Sequence, residues 1–108
     1  MHTKKIESEF VITAITPRLT APGVWACGTL KGHDFVALVF GDHAKNPTWE
    51  IGKSCISKLE LKRVADGRVV YNWDRGLDVP PANSRAVAAL QCLTLHLADR
   101  VFHRKCDD

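Results

Sequence analysis

Trp49–Asp78, WEIGKSCISKLELKRVADGRVVYNWDRGLD, is the segment around which the rest of the chain can be placed. From Cys55 to Val64 apolar and charged residues alternate. Leu59 and Leu61 point one way, and Lys58, Glu60 and Lys62 the other. A period of two predicts a strand with one buried and one solvated face. Ala65-Asp66-Gly67 then supplies a hairpin turn, since Asp-Gly tolerates the positive φ such turns need. Arg68–Trp73 returns as a second strand, with Val69, Tyr71 and Trp73 on one face. Trp49–Ile51 is a short extended piece broken by Gly52-Lys53-Ser54.

On the N-terminal side, Val24–Leu30 and Asp34–Phe40 form another hairpin about Lys31-Gly32-His33. Phe35, Ala37 and Val39 share one face, and Val36, Leu38 and Phe40 share the other. A strand apolar on both faces expects cover on both. A helix supplies one cover; a loop, the N-terminal arm or a second copy must supply the other. Gly41–Thr48 is a loop of turn-forming residues. Phe10–Ile15 is β-rich, and Thr16-Pro17-Arg18 closes it because proline cannot donate to a ladder. It is read as an edge strand or a terminal arm.

On the C-terminal side, Asp74-Arg75-Gly76-Leu77-Asp78 and Pro80-Pro81 read as a charged connector. A helical period follows to about His103, with Pro80 or Pro81 at the first position and Asn83-Ser84 in the first turn. Ala86, Val87, Leu90, Leu93, Thr94, Leu97 and Val101 share one face, which Leu95 and Phe102 widen. The expected fold is therefore a single α+β domain over 1–108: an antiparallel meander of about five strands on one long C-terminal helix. Its parts are an arm at 1–23, a sheet core at 24–74, a connector at 75–81 and a helix at about 82–103, with a frayed tail at 104–108.

Composition sets limits on function. The 108 residues are 45% hydrophobic and 25% charged, with a net charge of +3, as in ordinary globular domains. The basic residues form no long block, which argues against a dedicated electrostatic binder. Met1–Glu9 is polar and lacks a leader's apolar core. The longest apolar run, Phe35–Phe40, cannot span a bilayer. A cytoplasmic protein, not membrane-bound, is the expectation, with the four cysteines at 27, 55, 92 and 106 reduced. No cofactor motif is present, and none is expected.

Four groups of residues invite a chemical reading. Lys53, Lys58, Lys62, Arg63 and Arg68 make a basic hairpin that nucleic acid could use, but Glu60 interrupts the row and no aromatic residue interleaves with it for stacking. In Asp74-Arg75-Gly76-Leu77-Asp78, turn chemistry accounts for Asp74, Arg75, Gly76 and Asp78: a guanidinium bound to a carboxylate, a left-handed glycine, and an acceptor for the amides entering the helix. Arg75 is also a candidate for binding an anion. On the helix, Cys92, His96, Asp99 and His103 line one narrow face with Arg85. His96, Asp99 and His103 are thus metal candidates, but a straight stripe about 16 Å long cannot close around one ion. The favoured reading is a solvated helix face with an Asp99–His103 pair. Ser57-Lys58 is rejected as a nucleophile pair because strand neighbours face opposite ways. Cys55 is read as a small buried hydrophobe on the Leu59 face.

Trp25-Ala26-Cys27-Gly28-Thr29, Phe35–Phe40, Ile51, Ile56-Ser57-Lys58-Leu59 and Asp74-Arg75-Gly76-Leu77-Asp78 together resemble a family of small uncharacterised proteins of phages, plasmids and bacterial genomes, a domain of unknown function. The likeness runs from Val24 to Phe102. In that pattern glycines stand where this chain has Glu50 and Ser54, and a tryptophan where it has Leu77. The resemblance implies a mobile-element accessory protein and no reaction. The expected function is a small non-enzymatic interaction protein, self-associating as a homodimer through the apolar sheet or helix surface. Nucleic-acid binding by the 53–68 hairpin is the alternative, and a metal site on the helix is the second alternative.

Overall fold

The computed structural model describes residues 10–103. The readings of 1–9 as part of an arm and of 104–108 as a frayed tail lie outside the described residues.

Six strands follow one another as an antiparallel meander: β1 (Phe10–Pro17), β2 (Val24–Leu30), β3 (His33–Val39), β4 (Ile56–Arg63), β5 (Val69–Asp74) and β6 (Leu77–Val79). Among the described residues one α-helix, α1 (Ser84–Val101), follows the strands, and a 3-10 turn (Pro47–Trp49) sits between β3 and β4. The α+β class expected from the sequence holds, with six strands in place of about five. The extra strand is β6, within the segment read as a connector. Arg75 and Gly76 both take positive φ, 55° and 151°. That makes Asp74-Arg75-Gly76-Leu77 a tight reversal that lays Leu77–Val79 back along β5, pairing Trp73 with Leu77 and Asn72 with Val79.

The inward face of the sheet and one side of α1 form the core. Phe10, Leu30, Phe35, Val39, Ile56, Leu59, Leu61, Val70, Leu93 and Leu97 are all fully buried. Each such side chain contributes about 1.5–3 kcal/mol by leaving water. Phe10 meets Phe35 edge to face, with centroids 6.2 Å apart, and the Arg100 guanidinium lies 4.3 Å over the Phe10 ring. The last turn of the helix thereby holds β1, the edge strand, to the sheet. Gly28 permits this approach: a Cβ there would lie 2.0 Å from the Val11 carbonyl oxygen and 2.8 Å from the Phe35 ring.

Four details expected from the sequence are corrected. The helix starts at Ser84 with Asn83 as its cap, accepting from the Ala86 amide at 3.0 Å. Pro80, Pro81 and Ala82 therefore lie outside it. The buried helix stripe is Ala86, Ala89, Leu93, Leu97, Ala98 and Val101. Val87 and Leu95 are exposed at 38% and 67%, because the alanine-lined side is the one that can sit close on β3 and β4. On β5 a register shift opposite Leu61–Lys62 makes Val70 the fully buried residue, leaving Val69 only half-buried. Asp78, expected to cap the helix, instead accepts from the Asn72 side-chain amide at 2.8 Å.

Among the described residues no helix lies on the outward face. Its cross-strand rows are Thr16–Trp25–Leu38–Lys58–Asp74 and Ala14–Cys27–Val36–Glu60–Asn72. Among the described residues the cover expected over the outward face of β3 is met at one end. Leu38 is buried at 3% beside the 40–55 loop, while Val36 remains 39% exposed. Among the described residues no helix is long and apolar enough to cross a membrane.

Candidate functional site

The loop that covers Leu38 builds its shape from a buried carboxylate. Asn46 accepts from the Thr48 amide and starts the 3-10 turn at Pro47. That turn delivers Glu50 inward, where its side chain is 4% exposed. Its Oε1 accepts from the Cys55 amide at 2.7 Å and from His43 Nδ1 at 3.1 Å, and its Oε2 accepts from the Ala44 amide at 3.0 Å. Burial pushes the Glu50 carboxyl up, but the hydrogen bonds from His43, Cys55 and Ala44 and the His43 charge outweigh it. The net effect holds Glu50 below the usual carboxyl range, so it is an anion at neutral pH.

Cys55 sits at the other end of this loop with φ of 65°, a conformation that costs a residue with a Cβ of the order of 1–2 kcal/mol. Three backbone bonds over-determine it: Phe40 N to Cys55 O, Ile51 N to Ile56 O, and Ser54 N to Ile51 O, all near 3.0 Å. The Ser54 hydroxyl also accepts from the Ile56 amide. The result sets the Cys55 sulfur 3.5 Å from His43 Nδ1. Cys55 is buried in the hydrophobic core, as expected, and its sulfur also meets His43.

Beside this cluster the outward face opens into a cleft of about 840 Å³, in the size range of small-molecule sites. Trp25, Phe40 and Trp49 supply aromatic surface, and Arg18, Lys45, Lys58 and Arg75 supply cations, against Asp42 and Glu50 as the lining carboxylates. Glu50 is committed to the loop. Asp74 holds Lys58 at 3.7 Å and Arg75 at 3.9 Å, with all three side chains well exposed. Such surface pairs are worth under about 1 kcal/mol, so both cations can turn to an incoming anion. The Arg75 backbone is fixed, its amide donating to the Ser57 carbonyl at 2.8 Å.

The basic residues singled out from the sequence are therefore divided. Lys58 and Arg75 come together in the cleft. Lys62 lies on the same outward face opposite Asp34. Arg63 is held by Asp66 in the β4–β5 turn at 2.8 Å, with Arg68 exposed in the same turn and Lys53 exposed in the loop before β4. The reading that no aromatic residue accompanies the basic row is corrected, because β2 and the 3-10 turn carry Trp25 and Trp49 to Lys58. Ser57 and Lys58 both line the cleft, since the register shift between Leu38 and Val39 breaks the strict alternation assumed there.

On α1, Cys92, His96 and Asp99 are half-buried; the helix ends at Val101 and not at about His103, so His103, with φ of 56°, lies past its end and is exposed. Among the described residues the grouping able to hold a metal is His43, Glu50 and Cys55, and none of the helix candidates belongs to it. Sequence reasoning did not connect these three residues. They fall in a loop, a short extended piece and a strand start, at spacings that match no ligand motif.

The cluster is not a nucleophile relay. There the two ring nitrogens of histidine face different partners; here Nδ1 alone meets both Cys55 and Glu50. The cleft sets planar apolar surfaces beside weakly committed cations.

No curated protein and no solved structure matches the chain. A family profile matches residues 24–98, from the first residue of β2 into α1, leaving β1 outside. This chain belongs to the family described as Domain of unknown function (DUF7678).

Proposed function

We propose that the protein is a non-enzymatic binding module that works in the cytoplasm as an accessory of mobile-element type, and that its partner is single-stranded nucleic acid. The observation that carries this reading is the cleft at the Trp25–Lys58 end of the open sheet face. There Trp25 and Trp49 stand among Arg18, Lys45, Lys58 and Arg75. Single-stranded nucleic acid needs both components: π-faces on which bases stack and cations that follow the phosphates. Lys62 lies further along the same face, separated from Lys58 by Glu60 and opposite Asp34, so the cleft carries the reading without it. Arg63 and Arg68 in the β4–β5 turn are peripheral to it.

The test uses the chain's own tryptophans. Titrating a mixed-sequence single-stranded oligonucleotide at low salt should quench and shift their emission. Trp25→Leu and Trp49→Leu should each reduce that response, and Arg75→Ala should weaken binding with the fold intact. Unchanged emission together with unchanged hydrodynamic radius at low salt would remove the reading.

Self-association is the second reading, favoured by Val36, which is 39% exposed in mid-sheet on β3. Sedimentation should then show a concentration-dependent dimer that Val36→Lys abolishes. A monomer at every concentration excludes it.

A further inference from the structure

We propose that His43, Glu50 and Cys55 form a binding site for a borderline-soft divalent metal ion of the zinc type, with its open coordination position facing the cleft. This goes beyond the nucleic-acid reading and does not rest on it.

The first support is the donor set. Imidazole nitrogen, thiolate sulfur and carboxylate oxygen are the three zinc ligand types, and three protein ligands plus an open position is the arrangement of zinc sites that keep a place for water or a further ligand. The second is distance. Bonds of about 2.0–2.3 Å at tetrahedral angles place neighbouring donors roughly 3.3–3.6 Å apart. Here His43 Nδ1 is 3.1 Å from Glu50 Oε1 and 3.5 Å from the Cys55 sulfur, and the three donor atoms all lie within 4.8 Å of one another. The third is the setting. Glu50 and Cys55 are each 5% exposed, and His43 stands at the surface, so an ion enters from the cleft side and is shielded below.

The Cys55 and Ala44 amides would keep their hold on Glu50 while its remaining lone pair turns to the metal. They would thus serve as the outer partners that orient a ligand. The left-handed backbone at Cys55 places the sulfur on the same side as Nδ1, where ordinary strand alternation would not. On binding, Cys55 loses its thiol proton and His43 any proton on Nδ1, so affinity falls as pH drops.

The experiment uses the full-length, untagged protein and cobalt(II) as the spectroscopic probe, followed by zinc competition against a chromophoric chelator. The expected result is one equivalent bound, with a thiolate-to-cobalt charge-transfer band and the intense visible bands of a near-tetrahedral site. His43→Ala removes a surface ligand together with its bond to Glu50, leaves the Cys55 and Ala44 amides on that carboxylate, and should lower zinc affinity by at least the roughly 10–100-fold that even outer partners cost. Cys55→Ser should abolish the charge-transfer band, and circular dichroism should show both variants folded. If folded wild type binds less than one equivalent, the proposal is overturned. It is overturned equally if His43→Ala binds as tightly, or if the band survives Cys55→Ser and so belongs to another thiol.

Discussion

Replacing Glu50 by glutamine changes one atom and probes the loop that walls the cleft. In the wild type, both carboxylate oxygens accept from backbone amides, Cys55 at 2.7 Å and Ala44 at 3.0 Å, and His43 adds a third bond. Glutamine keeps one acceptor oxygen. With that oxygen on Cys55, the new NH₂ faces the Ala44 amide, donor against donor. One charge-assisted bond is lost and another is reduced to a neutral one. At about 1.5–3 kcal/mol per charge-assisted bond, the cost is about 3 kcal/mol, or a fall of about 12–24 °C in Tm for a domain of this size.

The effect has a pH signature. Glu50 is held below its usual value of 4.5. Its contribution is therefore complete above about pH 4.5 and is lost as pH falls through the lower folded value. Thermal and urea unfolding of both proteins with EDTA present, from pH 7 down to the acid range, measures this. The two stabilities should differ most at neutral pH and converge in acid. A glutamine variant within about 0.5 kcal/mol of wild type at pH 7, or a gap that does not change with pH, would refute the account of the loop.

Three further outcomes test the frame around the site. Gly28→Ala sets a methyl against the Val11 carbonyl and the Phe35 ring and should cost 3 kcal/mol or more in urea unfolding, at the top of the usual range for overpacking. Asn83→Ala removes the cap of α1 and should cost about 0.5–2 kcal/mol; Asn83→Asp should recover it. The Arg63 guanidinium, with help from the Arg68 amide, holds the Asp66 carboxyl down to about 2. Arg63→Ala should move the Asp66 midpoint in a carboxyl NMR titration back toward 3.8.

The meander was legible where local chemistry and long-range packing agree. Lys58–Lys62 alternates because one side meets the core, and Asp66-Gly67 turns because its residues tolerate that backbone. The helix was legible from its period, but its centre was not, since Ala86 and Ala89 are chosen for closeness of approach and carry little hydrophobic signal. Strand β6 was missed because Arg75 takes a positive φ that its side chain does not advertise. The cleft was half legible. Lys58 and Arg75 were named from the sequence, but Trp25, Phe40 and Trp49 reach them through pairings between β2, β3 and a 3-10 turn that no local pattern encodes. The His43–Glu50–Cys55 cluster was illegible for the same reason: three separate segments meet only because Glu50 bonds to the backbone at both ends of its loop.

The binding proposed for the cationic, aromatic cleft is tested most directly by the salt dependence of oligonucleotide affinity. Each phosphate contact on a single strand contributes about −0.7 to the slope of log K against log salt. With Arg18, Lys45, Lys58 and Arg75 engaged, fluorescence anisotropy across a salt series should give a slope between about −2 and −3, shallower by about 0.7 in Arg75→Ala. A slope near zero, or one that Arg75→Ala leaves unchanged, would contradict it.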